Sequence, residues 1–189
     1  MNHNSLFLEG RGILNVLVTN ETINEVKNLK NKCFILKLDF EKAYDTIRWN
    51  YLEYMMQRLG FSYVWFRWIK FCLKSAIISI LVNGCPTEEF IPLKGLKNKD
   101  PLASFLFVIV GQGLASVVRN AQSKYMLKGI KVGKNEVEVG FLQFVDDTIF
   151  LSQAETINIM MIRSILKFFE LTSGSKVNFH KSNGSGRFA

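Results

Sequence analysis

Two adjacent carboxylates, Asp146 and Asp147, stand between the apolar runs 141–145 and 148–151. The pattern predicts a hairpin with arms near 140–145 and 148–152 and both acids at its tip. Aspartate suits a turn by itself, because it tolerates left-handed backbone and bonds its own peptide groups. Adjacent like charges repel, however, and no Lys or Arg lies within the hairpin to neutralise them. A bound cation removes that difficulty. A third carboxylate, Asp39, closes the apolar run 33–38, an expensive place for an unpaired charge. An edge-strand ion pair with Lys37 or Lys42 is the plainer reading of Asp39. If one antiparallel sheet brings Asp39 beside Asp146, three hard oxygen donors line one end of that sheet. Such donors suit Mg²⁺, which takes one or two carboxylates plus substrate phosphates. Two ions about 4 Å apart activate an attacking hydroxyl and stabilise a leaving oxygen in phosphoryl transfer. The residues alone reach a two-metal nucleotidyl-transfer site and leave polymerase and nuclease both open.

The elements that must position these acids are legible as a mixture. Residues 13–29 carry apolar side chains at helical spacing, and 33–40 read as a strand. Asp45 and Thr46 are placed to cap a helix over 47–59 that Gly60 stops. Ser62 caps an aromatic-rich helix running to Lys74. Its rings (Tyr63, Trp65, Phe66, Trp68, Phe71) invite a base-stacking reading, but their period fits core packing better. Two strands, 76–82 and 89–93, flank the turn signal Asn83-Gly84. Gly95 to Lys99 is a basic loop. Asp100-Pro101 supplies N-cap and N1 for an apolar helix to about residue 120. Short strands follow at 129–132 and 136–139, then the acidic hairpin, then a helix over 156–171 ended by Ser173-Gly174. From Ser182 the pattern lapses, and 183–189 are expected to be a frayed tail. Strands and helices without strict alternation predict an α+β fold.

Composition agrees with a folded domain. Hydrophobic residues are 48% with 16 Phe, too much apolar surface for a disordered chain. The charge of +8 favours a polyanionic partner without naming one. Cys33, Cys72 and Cys85 form no zinc-like cluster and read as free thiols. The N-terminus lacks the regions of a signal peptide, and the apolar stretch 102–118 is broken by Ser104, Gln112 and Ser116. A buried helix, no membrane span and an intracellular location, cytoplasm or nucleus, are expected.

At the acidic segments the sequence resembles the reverse transcriptases of non-LTR (LINE-type) retrotransposons, particularly those of plants. Asp39-Phe40-Glu41-Lys42-Ala43-Tyr44-Asp45 is similar to the family's A motif, and Phe144-Val145-Asp146-Asp147 to its C motif. Gly95-Leu96-Lys97-Asn98-Lys99-Asp100-Pro101-Leu102-Ala103-Ser104 is similar to the B motif, and Ser173-Gly174-Ser175-Lys176-Val177-Asn178 to the D region. Residues 7–14 resemble a segment preceding A, so the likeness runs in order over about 5–182. It implies an RNA-directed DNA polymerase with a palm of antiparallel strands backed by helices. RNA template, DNA primer and dNTP are then the partners, and two Mg²⁺ or Mn²⁺ ions the cofactors. Asp39, Asp146 and Asp147 are the implied metal ligands, and Lys176 a candidate proton donor to pyrophosphate. Phe40, Ala43, Tyr44, Lys97, Asn98 and Asp100 are the implied nucleotide contacts, with Tyr44 crowding the sugar 2′ position. Asp45 is assigned to capping.

The pattern also breaks. Lys99 stands for a motif glycine, Asn98 for Gln, Ser104 for Pro, Ser175 for Leu and Val145 for Ala. The chain is expected to be a partial reverse transcriptase domain over 1–182, with a fingers-side helix in 1–32, a palm with inserted strands in 33–182, and no thumb. Weak or absent activity follows as an expectation. The alternatives are an RNA-dependent RNA polymerase and a non-catalytic, maturase-like RNA-binding palm. Nothing in the sequence fixes an oligomeric state.

Overall fold

The computed structural model describes residues 33–97, 100–132, 136–144, 147–179 and 181–186. The helix expected over 13–29, Asn98, Lys99, Val145 and Asp146 lie outside them. A four-stranded antiparallel sheet runs in the order β10-β1-β8-β7, with β1 at Cys33–Leu38, β7 at Phe141–Phe144, β8 at Asp147–Gln153 and β10 at Asn183–Gly186. Three two-stranded ribbons accompany it: β2 (Phe40–Glu41) with β9 (Lys176–Val177), β3 (Leu81–Val82) with β4 (Cys85–Pro86), and β5 (Ile130–Val132) with β6 (Val137–Val139). Four helices are described: α1 (Trp49–Arg58), α2 (Tyr63–Lys74), α3 (Pro101–Ser123) and α4 (Thr156–Ser173). This is the α+β arrangement that the irregular alternation of elements predicts.

Side-chain alternation sorts β1 and β8 into two faces. Leu38 and Phe150, with Phe34 and Leu36 beside them, turn toward α1, α3 and α4 and enter the main core. Within that core Phe107 of α3 touches Phe40 and Tyr44, at centroid distances of 6.2 and 5.1 Å. The other face carries Ile35, Ile149 and Leu151, which pack with Ile130, Val132 and Val139 of the β5–β6 ribbon. That ribbon covers only one end of the face. The hairpin end, with Lys37 and Asp147, is open to solvent.

Helix α3 has the length and apolarity to cross a membrane by composition alone, yet its inward side chains Leu106, Val110, Leu114 and Val118 are buried in the core. Asp100 caps it as expected, its Oδ1 accepting from the Leu102 N–H at 2.9 Å, with Pro101 at the first position. Gly60 likewise ends α1: the N–H groups of Gly60 and Phe61 donate to the carbonyls of Gln57 and Met56, a Schellman closure. Tyr51 of α1 rests its hydroxyl on Gly113 of α3, where any side chain would collide with it.

Four expectations are corrected. Helix α1 begins at Trp49, and neither Asp45 nor Thr46 caps it; the N-cap is Arg48, which offers no side-chain acceptor. The cause is tertiary, because the carbonyls of Tyr44 and Ile47 accept from Leu96 and Gly95, and the Arg48 N–H donates to Ser173. Those bonds hold 44–48 out of helix. The strands flanking Asn83-Gly84 shrink to two residues each, since Pro86 cannot extend the ladder, and only an isolated Ile78–Phe90 bridge continues it. Residues 183–186 are not frayed; they pair with β1, Lys37 opposite Asn183 and Phe34 opposite Gly186. The aromatics of α2 are mostly at the surface, and only Phe66 and Ile69 of that helix are buried.

Candidate active site

The register of β1 against β8 ends at Leu38 opposite Thr148, so Asp39 and Asp147 are the next residues on their strands. Alternation sends both away from the buried Leu38 and Thr148, onto the open face. Both are exposed. The ladder of the hairpin ends at Phe144 opposite Asp147, and Asp146 lies outside the described residues. Two of the three predicted acids are thus brought to one end of one sheet. Among the described residues no group of three potential metal ligands is assembled.

Asp39 is held by its backbone rather than its side chain. Its N–H donates to Ser182 Oγ at 3.2 Å, and its carbonyl accepts from the Asn178 N–H at 2.8 Å. Its carboxylate is therefore not tied to Lys37. Lys37 instead reaches across to Asp147, with Nζ 3.0 Å from Oδ1. A cation two residues before Asp39 is the signal that sequence reasoning weighed for the wrong acid. The pair is more than half exposed and contributes little to stability. It does place a positive charge on one of the candidate ligands.

Ribbon β2–β9 brings the D region to the A segment: Phe40 faces Val177 and Glu41 faces Lys176. Phe40 and Val177 are buried, while Glu41 and Lys176 are exposed on the side opposite them. Lys176 therefore lies on a strand adjoining the one that carries Asp39. The Phe40 ring, by contrast, is in the core against Phe107 and Phe169. Ala43 and Tyr44 are half-buried in the turn after β2, and Lys42 there adopts φ 47, a left-handed conformation uncommon outside glycine. Lys97 is exposed, and the carboxylate of Asp100 caps its helix through Oδ1.

The turn after A and the start of B are joined more tightly than the sequence suggests. Gly95 donates to Ile47 at 2.8 Å, Leu96 donates to Tyr44 at 2.8 Å, and Trp49 Nε1 donates to the Gly95 carbonyl at 2.7 Å. Gly95 adopts φ +90, and a Cβ there would meet the Asp45 carbonyl oxygen at 2.7 Å. Only glycine meets both demands. Gly95 of the B segment is a positioning residue, and so are Ile47 and Trp49, which the motifs did not include. On the D side, Arg48 Nη1 donates to the Leu171 carbonyl at 2.7 Å, and Glu170 Oε1 accepts from Val177 at 2.9 Å.

Residues 2–186 match the family described as reverse transcriptase (RNA-dependent DNA polymerase). An uncharacterized mitochondrial protein of Arabidopsis thaliana is 37% identical over 68 residues, covering 36% of this chain and 56% of that protein. The Pol polyprotein of the type-1 retrotransposable element R2 of Popillia japonica is 27% identical over 171 residues, 90% of this chain and 23% of that protein. That of the type-2 element R2DM of Drosophila melanogaster is 25% identical over 149 residues, 79% and 13% respectively. The chain thus spans about half the length of the first relative and under a quarter of the other two. Among solved structures, an apo telomerase of Candida tropicalis superposes with a TM-score of 0.60 at 16% identity, over 93% of this chain and 35% of that one. A Candida albicans telomerase bound to a fragment of telomeric RNA gives 0.60 at 13% identity, over 93% and 30%. At such identities the likeness speaks for the fold. The family as a whole uses divalent metal ions, and exposed carboxylates at a shared strand end are donors of the right chemistry. The A, B, C and D segments, the palm-like sheet and the match along nearly the whole chain agree: this protein belongs to the reverse transcriptase family, with relatives among non-LTR retrotransposon polyproteins.

Proposed function

We propose that this chain is the palm-centred part of an RNA-directed DNA polymerase of a retroelement, extending a DNA primer on an RNA template with dNTPs. The observation that carries this reading is the succession of Asp39 and Asp147 at one strand end, on one open face. Together with Asp146, these carboxylates would hold Mg²⁺ or Mn²⁺, two ions in all. When bound, such ions supply activation of the primer hydroxyl and neutralisation of the leaving pyrophosphate. The chain's own groups orient the substrate. Tyr44, braced by Phe107, presents bulk where a 2′-hydroxyl would sit. Lys97 offers a positive charge beside the B segment, with Asn98 next to it. Lys176, on the strand joined to the A segment, would give a proton to pyrophosphate.

Activity of the chain as given is proposed to be weak. Lys37 competes for Asp147, and Lys99 replaces a glycine in the B segment. Primer extension on a homopolymer RNA with Mg²⁺ or Mn²⁺ tests both statements. We expect slow, metal-dependent dNTP incorporation that Asp39→Asn and Asp147→Asn each abolish. Incorporation that survives both substitutions rejects the site, whereas vigorous incorporation lost with either rejects only the weakness. One observation favours a second reading, a non-catalytic RNA-binding palm: the acid at the hairpin already has an internal counter-ion in Lys37. That reading predicts RNA binding with no metal requirement and no rise in thermal stability with Mg²⁺ or Mn²⁺.

A further inference from the structure

Helix α2 departs from the inward packing of the core helix α3. Its twelve residues include Tyr63, Trp68 and Phe71 at 72%, 62% and 74% exposure, with Trp65 also at the surface. The same helix carries Arg67, Lys70 and Lys74 and no acidic residue. None of the three cations has a carboxylate partner among the described residues. One acid, Glu53 of α1, lines the groove beside Lys70 and Lys74, too little to neutralise them.

The spacing arranges these groups. Tyr63, Arg67, Phe71 and Lys74 recur at helical intervals of four, four and three, forming one stripe that alternates ring and cation. Trp68 and Trp65 stand beside it with their centroids 5.7 Å apart. Lys70 is steadied over the Phe66 ring at 5.4 Å, so its charge is held near the helix surface. The stripe runs about 16 Å at 1.5 Å per residue, enough for several bases. Rings that accept any base by stacking, set among cations that follow a phosphate backbone, are the two parts of a sequence-tolerant single-strand site. A protein-docking face would not need unpaired charges at every turn.

We propose that the exposed face of α2 is a binding surface for a single-stranded polynucleotide, separate from the acidic strand end. Helix α2 leans on α1 in the helical layer, whereas Asp39 and Asp147 occupy the sheet face that the helices leave bare. The inference does not rest on catalysis, and it stands or falls apart from the polymerase reading.

Fluorescence anisotropy of the whole chain with labelled oligouridylate and oligothymidylate tests it; the two probes decide between RNA and DNA as the natural strand. Trp68→Ala with Phe71→Ala should weaken binding about 100-fold, roughly tenfold per ring. Arg67→Gln, Lys70→Gln and Lys74→Gln together should flatten the log affinity against log salt slope by about 2. Photocrosslinking of the unmodified chain with a 5-iodouracil oligonucleotide should mark Trp65, Trp68 or Phe71, and needs no variant to fold. Affinity indifferent to both α2 variants overturns the proposal, as do crosslinks confined to the acidic strand end. So does a ring variant whose only effect in sedimentation is to dissociate an oligomer, which would make the face a protein contact.

Discussion

Helices α2 and α3 are both rich in apolar residues and have opposite fates. Helix α3 spends its apolar residues inward, on Leu38, Phe150 and the rings around Phe107. Helix α2, no less apolar in look, buries only Phe66 and Ile69 and displays its rings, and the β3–β4 ribbon beyond it exposes Ile80, Leu81 and Val82. The difference teaches that a hydrophobic period states that a face will be covered without stating by what. Where the sheet supplies a second layer, the period is satisfied within the chain; where it does not, the face becomes a surface with chemistry of its own.

That contrast can be broken by substitution. Phe107→Ala empties the centre of the core and should cost about 3–5 kcal/mol, most of the margin of an ordinary domain, as read by chemical denaturation. Phe71→Ala, the same change at an exposed ring, should stay within about 0.5 kcal/mol; a large loss there would mean that α2 is covered after all. Next in size is Gly95→Ala, which combines a positive φ with a close backbone neighbour and should cost about 1–3 kcal/mol while loosening the bond from Trp49. Thr148→Val should work in the opposite direction. The Thr148 hydroxyl is buried with no partner among the described residues, and its removal should raise stability by about 1 kcal/mol.

A pH effect belongs to the same packed layer. Burial, with a lesser contribution from Tyr54, pushes the Tyr51 phenol up to about 12 from its usual 10. A raised folded-state value means that folding favours the neutral phenol. The stability this confers is intact below pH 10 and drains away as the pH climbs toward about 12. Thermal unfolding followed across that window should show the decline, and Tyr51→Phe should blunt it.

Local signals were easy to read and non-local ones were not. Asp100-Pro101, Gly60, Asn83-Gly84 and Ser173-Gly174 each act on their own few residues, and each marks a real boundary. The start of α1 failed because bonds from Gly95 and Leu96, and from Arg48 to Ser173, all far apart in sequence, hold 44–48 out of helix. Residues 183–186 failed because an edge strand of Asn, Gly and Ser has no period; its partner β1 supplies the ladder. At the site, the strand-end position of Asp39 and the hairpin carrying Asp147 were legible from apolar runs alone. The ion pair from Lys37 to Asp147 was not, because choosing between two acids requires knowing which strand lies alongside.

The pinning of Asp39 between Ser182 and Asn178 carries one more implication. One bond runs to the Ser182 hydroxyl and one comes from the Asn178 amide, so whatever clamps the aspartate must also slow the opening at Asn178 and Ser182. If the Asp39 carboxylate holds a cation, as proposed, thermodynamic reciprocity requires that docking of that segment tighten the grip by the same factor. Amide-exchange rates in a stretch that never touches the ion would therefore register its arrival.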